Sequence, residues 1–194
     1  MRGYKDQFEP DVVNQIESIV SRLENISYPT GSSRFYGLDL ALCLKSGALA
    51  GSMIIASALI EIFVRGLVIR YAEDAQSGWS RKIEAEKELE SMRNLSFSKL
   101  LDNLTEVDLF CSKDAIEAKD IYKNIRIPTH HGLPARLLGR GKNDPFSSIM
   151  SLLGKSSTVS MSEFEDFIEC EAIPIINNVV SIIENNQYTD QQNT

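Results

Sequence analysis

The sequence predicts an all-α fold, an antiparallel helical bundle of four to seven helices, on three observations. Apolar residues recur at helical spacing in several separate segments. No segment sustains the apolar–polar alternation of a half-buried strand, and most connections between periodic segments are short. Pro10 and Asp11 open a run in which Val12, Val13, Ile16, Ile19, Val20 and Leu23 share a face, so the spacing predicts an amphipathic helix over 10–25. YPTGSS at 28–33 reads as a loop by its turn chemistry. From about Leu38 to Ala75 the chain is apolar on nearly every side. That marks the centre of the bundle, as one long helix or as a pair broken near Ser46 and Gly47.

Residues 79–93 are charged and rich in helix formers, which predicts a solvated, projecting helix. Ser96 is placed to cap the short segment FSKLLDNL. The next helix is expected over 112–126, with Ile116, Ala118, Ile121, Tyr122 and Ile125 on one face. Ile121, Tyr122 and Ile125 should pack it against 48–72. Pro128 should end it, because the residue before a proline is pushed out of the helical region. A Gly/Ser-rich connection spans 139–160, and Ser162 with Glu165 forms a capping box for a last helix reaching about Asn185. Pro174 is a potential kink in that helix, and the polar end YTDQQNT should fray.

The length of 194 residues suits a single domain with a core over about 38–185 and a tail at 186–194. Apolar residues make up 43% and charged residues 24%, an ordinary globular balance. The net charge of −7 argues against a broad, non-specific grip on nucleic acid, though not against a small basic pocket. Cys43, Cys111 and Cys170 have no CxxC spacing, which excludes a disulfide framework or zinc ribbon and predicts buried thiols in a reducing cytoplasm. The N-terminus lacks the apolar core of a signal peptide. The run SGALAGSMIIASALI falls short of the roughly 18 apolar residues of a membrane span, so a buried helix and no membrane are expected.

Several motifs fail. LGKSS has Ile149 where a phosphate-binding loop needs its first glycine, and no strand precedes it. The glycine cluster GRGKND lacks the same context. His130 and His131 are adjacent and have no carboxylate or Cys at ligand spacing, so no metal site is expected there, and no cofactor elsewhere.

The stretch IYKNIRIPTHHGL at 121–133 holds both histidines of the chain. Four residues separate Arg126 from His131, so a helix end and the turn after it could bring both to one phosphate. A guanidinium fork binds two phosphate oxygens, and an imidazole titrates near neutral pH and moves a proton. Together they suffice for metal-free RNA cleavage, with histidine taking the proton of a ribose 2′-OH and arginine stabilising the charge that grows on phosphoryl oxygen.

YKNIRIPTHHG resembles the signature of the HEPN superfamily (higher eukaryotes and prokaryotes nucleotide-binding), small α-helical bundles with an Arg and, four to six residues on, a His at the end of a late helix. The resemblance implies a metal-independent endoribonuclease of the toxin–antitoxin or phage-defence type. It also implies an RNA substrate, a homodimer that pairs two motifs across its interface, and an antitoxin or other regulatory protein as a further partner. Arg126 and His131 match the motif Arg and His. The earlier helix IASALIEIFVRGL places Glu61 and Arg65 at i, i+4, where such families often carry a polar group that supports the motif arginine. Glu61 is a candidate partner for Arg126, since a buried charge needs one. His130 and Asn124 complete the candidate supporting residues, although Asn124, two positions before Arg126, should face away from it on a helix. Two positions depart from the family pattern: Ile127 stands where the ribonucleases usually have a polar residue, and Leu133 where some toxins carry the Tyr that a partner adenylylates. The opposing reading is a catalytically silent helical module that binds a nucleotide, RNA or protein. On it Arg126 merely complements the negative end of its helix, and Glu61–Arg65 is an intrahelical ion pair.

Overall fold

Six α-helices, a short 3₁₀ turn at Tyr4–Asp6 and a π-turn at Tyr122–Arg126 account for almost all the described residues, which contain no strand. The computed structural model describes residues 4–74, 95–126 and 161–188. The expectations at 79–93, Pro128 and 139–160 lie outside the described residues. The helices are α1 (Pro10–Asn25), α2 (Gly31–Ser46), α3 (Leu49–Asp74), α4 (Phe97–Glu106), α5 (Ser112–Ile121) and α6 (Met161–Asn185). They form an all-α helical bundle.

α1 covers the predicted range and buries Ile16, Ile19, Val20 and Leu23. The loop expected at 28–33 is shorter, because α2 begins at Gly31. Thr30 and Ser33 form a reciprocal cap: Thr30 Oγ1 accepts from the Ser33 amide and Ser33 Oγ accepts from the Thr30 amide, each at 3.2 Å. The small polar residues that read as a turn are thus the helix start. The chain leaves α2 through Gly47 at φ 77°, a left-handed conformation that suits glycine, and turns straight into α3. The central apolar segment is therefore an antiparallel pair, broken where the sequence suggested.

α3 supplies the middle of the core with Met53, Leu59, Ile60, Phe63, Val64 and Leu67, all 2% exposed or less. Its stretch Leu49–Tyr71 is long and apolar enough to cross a membrane, with mean hydropathy 2.0, a longer apolar stretch than the run counted from sequence. Of its most apolar window 67% is buried inside the fold, the environment of a core helix. Ser96 caps α4 as expected, its hydroxyl accepting from the Lys99 amide at 3.4 Å. α6 runs through Pro174 without ending. Arg22 of α1 grips the C-terminal end of α6, with Nε 3.0 Å from both Glu184 carboxylate oxygens and Nη2 2.8 Å from Ser181 Oγ.

Two sequence expectations are corrected. Ile116 does not join the buried face of α5 but is 69% exposed, while Asp114, Ala115 and Ala118 are buried. A helix turns about 100° per residue, so Ile116 stands about 200° from Ala118 and cannot share its face. Nor are the cysteines buried: Cys43 is half-buried, and Cys111 and Cys170 are exposed.

Candidate functional site

α5 does not run as a regular helix to Arg126. After Ile121 it widens into the π-turn Tyr122–Arg126, which packs on α3 with Asn124 and Ile125 buried. Phe97 of α4 stacks on the Tyr122 ring, centroids 4.5 Å apart, and so pins the first residue of the turn. Turns of this kind insert an extra residue and shift the helical phase of the side chains beyond it. The side chain so presented at the last position is Arg126.

Arg126 meets α3 at Glu61. Its Nε lies 3.4 Å from Glu61 Oε2, with the two side chains 19% and 18% exposed. The other carboxylate oxygen of Glu61 takes Arg65, whose Nη2 and Nε stand 3.1 Å and 3.3 Å from Oε1. One carboxylate thus holds two guanidiniums, one oxygen to each. These three side chains carry a formal charge of +1 in a chain whose net charge is −7. The partial burial of all three strengthens the pairing relative to a surface contact.

Tyr122 borders the same cluster, which the sequence did not reveal because its aromatic ring read only as part of an apolar face. Burial pushes its phenol above the usual tyrosine value. The Glu61 charge adds to the rise, and Arg65 and Arg126 offset part of it. The phenol therefore stays protonated at neutral pH, as a neutral hydrogen-bonding group beside two cations.

The other candidate residues fall out differently. Asn124 is buried and donates to Asp120 Oδ1 at 2.7 Å, one turn back, so its amide is engaged within its own helix. His130 and His131 lie outside the described residues. Among the described residues no group of three or more His, Cys, Asp or Glu side chains could hold a metal ion. The arrangement therefore brings together Arg126, Glu61 and Arg65, adds Tyr122, and leaves Asn124 apart. Chemically, it is a small basic site whose arginine is aimed by a carboxylate. No family model matches the chain, and no curated protein or solved structure shows significant similarity to it.

Proposed function

We propose that the chain is a metal-independent endoribonuclease of the HEPN type, with Arg126 and His131 as its working pair in a site shared across a homodimer. The observation that carries this reading is the Glu61–Arg126 contact. A carboxylate at Nε fixes the plane of a guanidinium, and a fixed plane is what two-toothed recognition of a phosphate requires. The local positive charge of the Arg65–Glu61–Arg126 group supplies the attraction for an RNA backbone that the acidic chain otherwise lacks. His131, five residues beyond Arg126, would be the base that takes the 2′-OH proton. Two-fold symmetry with the 124–133 segments near the axis would double both groups without further sequence. On this reading the chain works in the cytoplasm, under the control of an antitoxin or other regulatory protein.

The same contact also favours a second reading. Glu61 neutralises one of the two arginines, as a structural ion pair would, and a silent module that binds RNA, a nucleotide or a protein needs no base. Incubation with total RNA in chelator separates the two. Cleavage that leaves 2′,3′-cyclic phosphate and 5′-hydroxyl ends supports the ribonuclease, and RNA that is bound but left whole supports the module. Cleavage that requires Mg²⁺ refutes the first reading.

A further inference from the structure

The exposed face of α2 has the pattern of a helix that expects another helix. Phe35, Leu38 and Leu42 are 69%, 47% and 64% exposed, large apolar side chains along a single stripe of a 16-residue helix. Their spacing of three and four residues places them at a, d and a of a heptad. Gly31, one heptad before Leu38, takes the preceding d position, and a Cβ there would meet nothing within 4 Å. Two helices can therefore approach closely at that end.

Charge decides what fits the stripe. In this register Arg34 is the g residue before Phe35, and Asp39 is the e residue after Leu38. Both are exposed, and among the described residues neither takes part in an ion pair or side-chain hydrogen bond. In two parallel helices paired in register, a g residue faces the e residue five positions further along its neighbour. Arg34 and Asp39 have that offset. An antiparallel pairing would instead set g edge to g edge and e edge to e edge, so Arg34 would not meet Asp39. The stripe is thus complementary to itself in one orientation only.

A groove of about 660 Å³ opens beside Arg34, between α2 and the end of α1, and is lined also by Glu24, Tyr28, Pro29 and Leu38. It leaves room for a carboxylate to reach the guanidinium from outside the chain. Lys45, at the next d position, is paired with Glu24 at 3.3 Å and closes the stripe at its C-terminal end.

We infer that two copies of this chain associate through parallel, in-register pairing of their α2 helices, with Phe35, Leu38 and Leu42 at the seam and Arg34 of each copy on Asp39 of the other. The inference stands on α2 alone; a ribonuclease built on this one dimer would have to bring its 124–133 segments to the same axis. A helix of this length spans only about 24 Å, so the seam has few apolar layers. Interfaces of that size belong to the weaker, exchanging class, and the dimer should dissociate in the micromolar range.

Analytical ultracentrifugation of the full chain from about 1 to 300 µM tests it (the range that brackets such a dissociation constant). The expected result is a reversible monomer–dimer equilibrium. Leu42→Glu should abolish it, and Arg34→Asp or Asp39→Arg alone should weaken it by at least about tenfold, since each makes both symmetry-related ion pairs repulsive. The doubly exchanged Arg34→Asp/Asp39→Arg chain should regain most of the lost affinity. All of these positions are exposed, so circular dichroism should report the same fold for every variant. A chain that stays monomeric throughout overturns the inference, as does a dimer indifferent to Leu42→Glu or a double exchange no better than the singles.

Discussion

The Glu61 carboxylate and the Arg126 guanidinium meet at 3.4 Å, although 65 positions separate them in the chain. The contact joins the central helix to the end of the π-turn, and it exists only when α3 packs against the turn that ends α5. Arg65 shares the same carboxylate from one turn away on α3. The two arginines are alike in chemistry but not in what folding does for them. A local i, i+4 pair persists in any residual helix of the unfolded chain, whereas the Arg126 pair is made by folding itself.

That difference is measurable. In double-mutant cycles using methionine replacements, Glu61 and Arg126 should show a coupling of about 1 kcal/mol. Glu61 and Arg65 should show only about 0.3–0.5 kcal/mol, the worth of an intrahelical pair. Urea unfolding of the four chains in each cycle gives both values. A Glu61–Arg126 coupling near zero would mean that Glu61 does not hold Arg126 in solution.

Asn186 should be as important to stability as any core residue. Its side chain is buried just beyond α6, with Oδ1 accepting from the Cys111 amide at 2.7 Å and Nδ2 donating to Asp114 Oδ2 and to the Ile182 carbonyl at 2.7 Å. Asn186→Leu keeps the volume but strips a partner from the start of α5. A buried polar group left unpaired costs about 1–3 kcal/mol, so the urea midpoint should fall accordingly. An unchanged midpoint would mean that water replaces the amide.

The corner between α2 and α3 gives a third expectation. Gly47 has φ 77°, and a Cβ there would stand 2.5 Å from the Gln7 side-chain oxygen. Gly47→Ala should destabilise by roughly 1–2 kcal/mol from the left-handed backbone alone. Trimming Gln7 to alanine in the same chain should recover only the part due to the clash. Thermal unfolding of the two variants separates the contributions.

Alkaline pH should loosen the bundle through Tyr28. Burial raises its phenol to about 12, and its hydroxyl donates to the Leu23 carbonyl at 3.1 Å. The folded chain therefore holds this proton more tightly than the unfolded chain, whose tyrosines titrate near 10. The resulting stability is fully present below about pH 10 and is lost as pH rises through about 12. Tyr28→Phe cannot ionise, so its stability should fall less over that interval. Absorbance at about 295 nm after a rapid pH jump should show Tyr28 ionising late in the parent chain.

The fold was more legible than the site, and the residues say why. Pro10, Ser96 and the apolar spacing of α1 are local signals, and each marks an element whose boundary depends on its own neighbours. Gly47 is also local, since a left-handed corner selects glycine whatever surrounds it. Thr30 and Ser33 misled because a turn and a capping box draw on the same small polar residues. The Glu61–Arg126 partnership could be anticipated from one rule, that a charge within an apolar helix needs a counter-charge. The place of Tyr122 could not, because it depends on the π-turn and on the ring of Phe97 at a distance in sequence. The exposed stripe on α2 was hidden for a similar reason. An apolar position on a helix reads as core until its neighbours fill the opposite face.

The proposed chemistry gives each residue of the site a distinct signature. If His131 is the base, His131→Ala should lower cleavage by ~10²–10⁴ while leaving RNA binding nearly intact, since proton transfer is made only in the transition state. Arg126→Ala should weaken both binding and cleavage, because the guanidinium contacts the phosphate before and during attack. Arg126→Lys should recover little, as a point charge does not reproduce a two-toothed grip. Glu61→Gln should leave Arg126 charged but poorly aimed, so it should reduce the cleavage rate more than RNA affinity. His130→Ala should matter far less than His131→Ala, which tells the adjacent imidazoles apart. Chelators should change none of these values. Single-turnover cleavage of a short RNA, with binding measured separately by fluorescence anisotropy, reads every arm, and cleavage that survives His131→Ala unchanged would remove histidine from the mechanism.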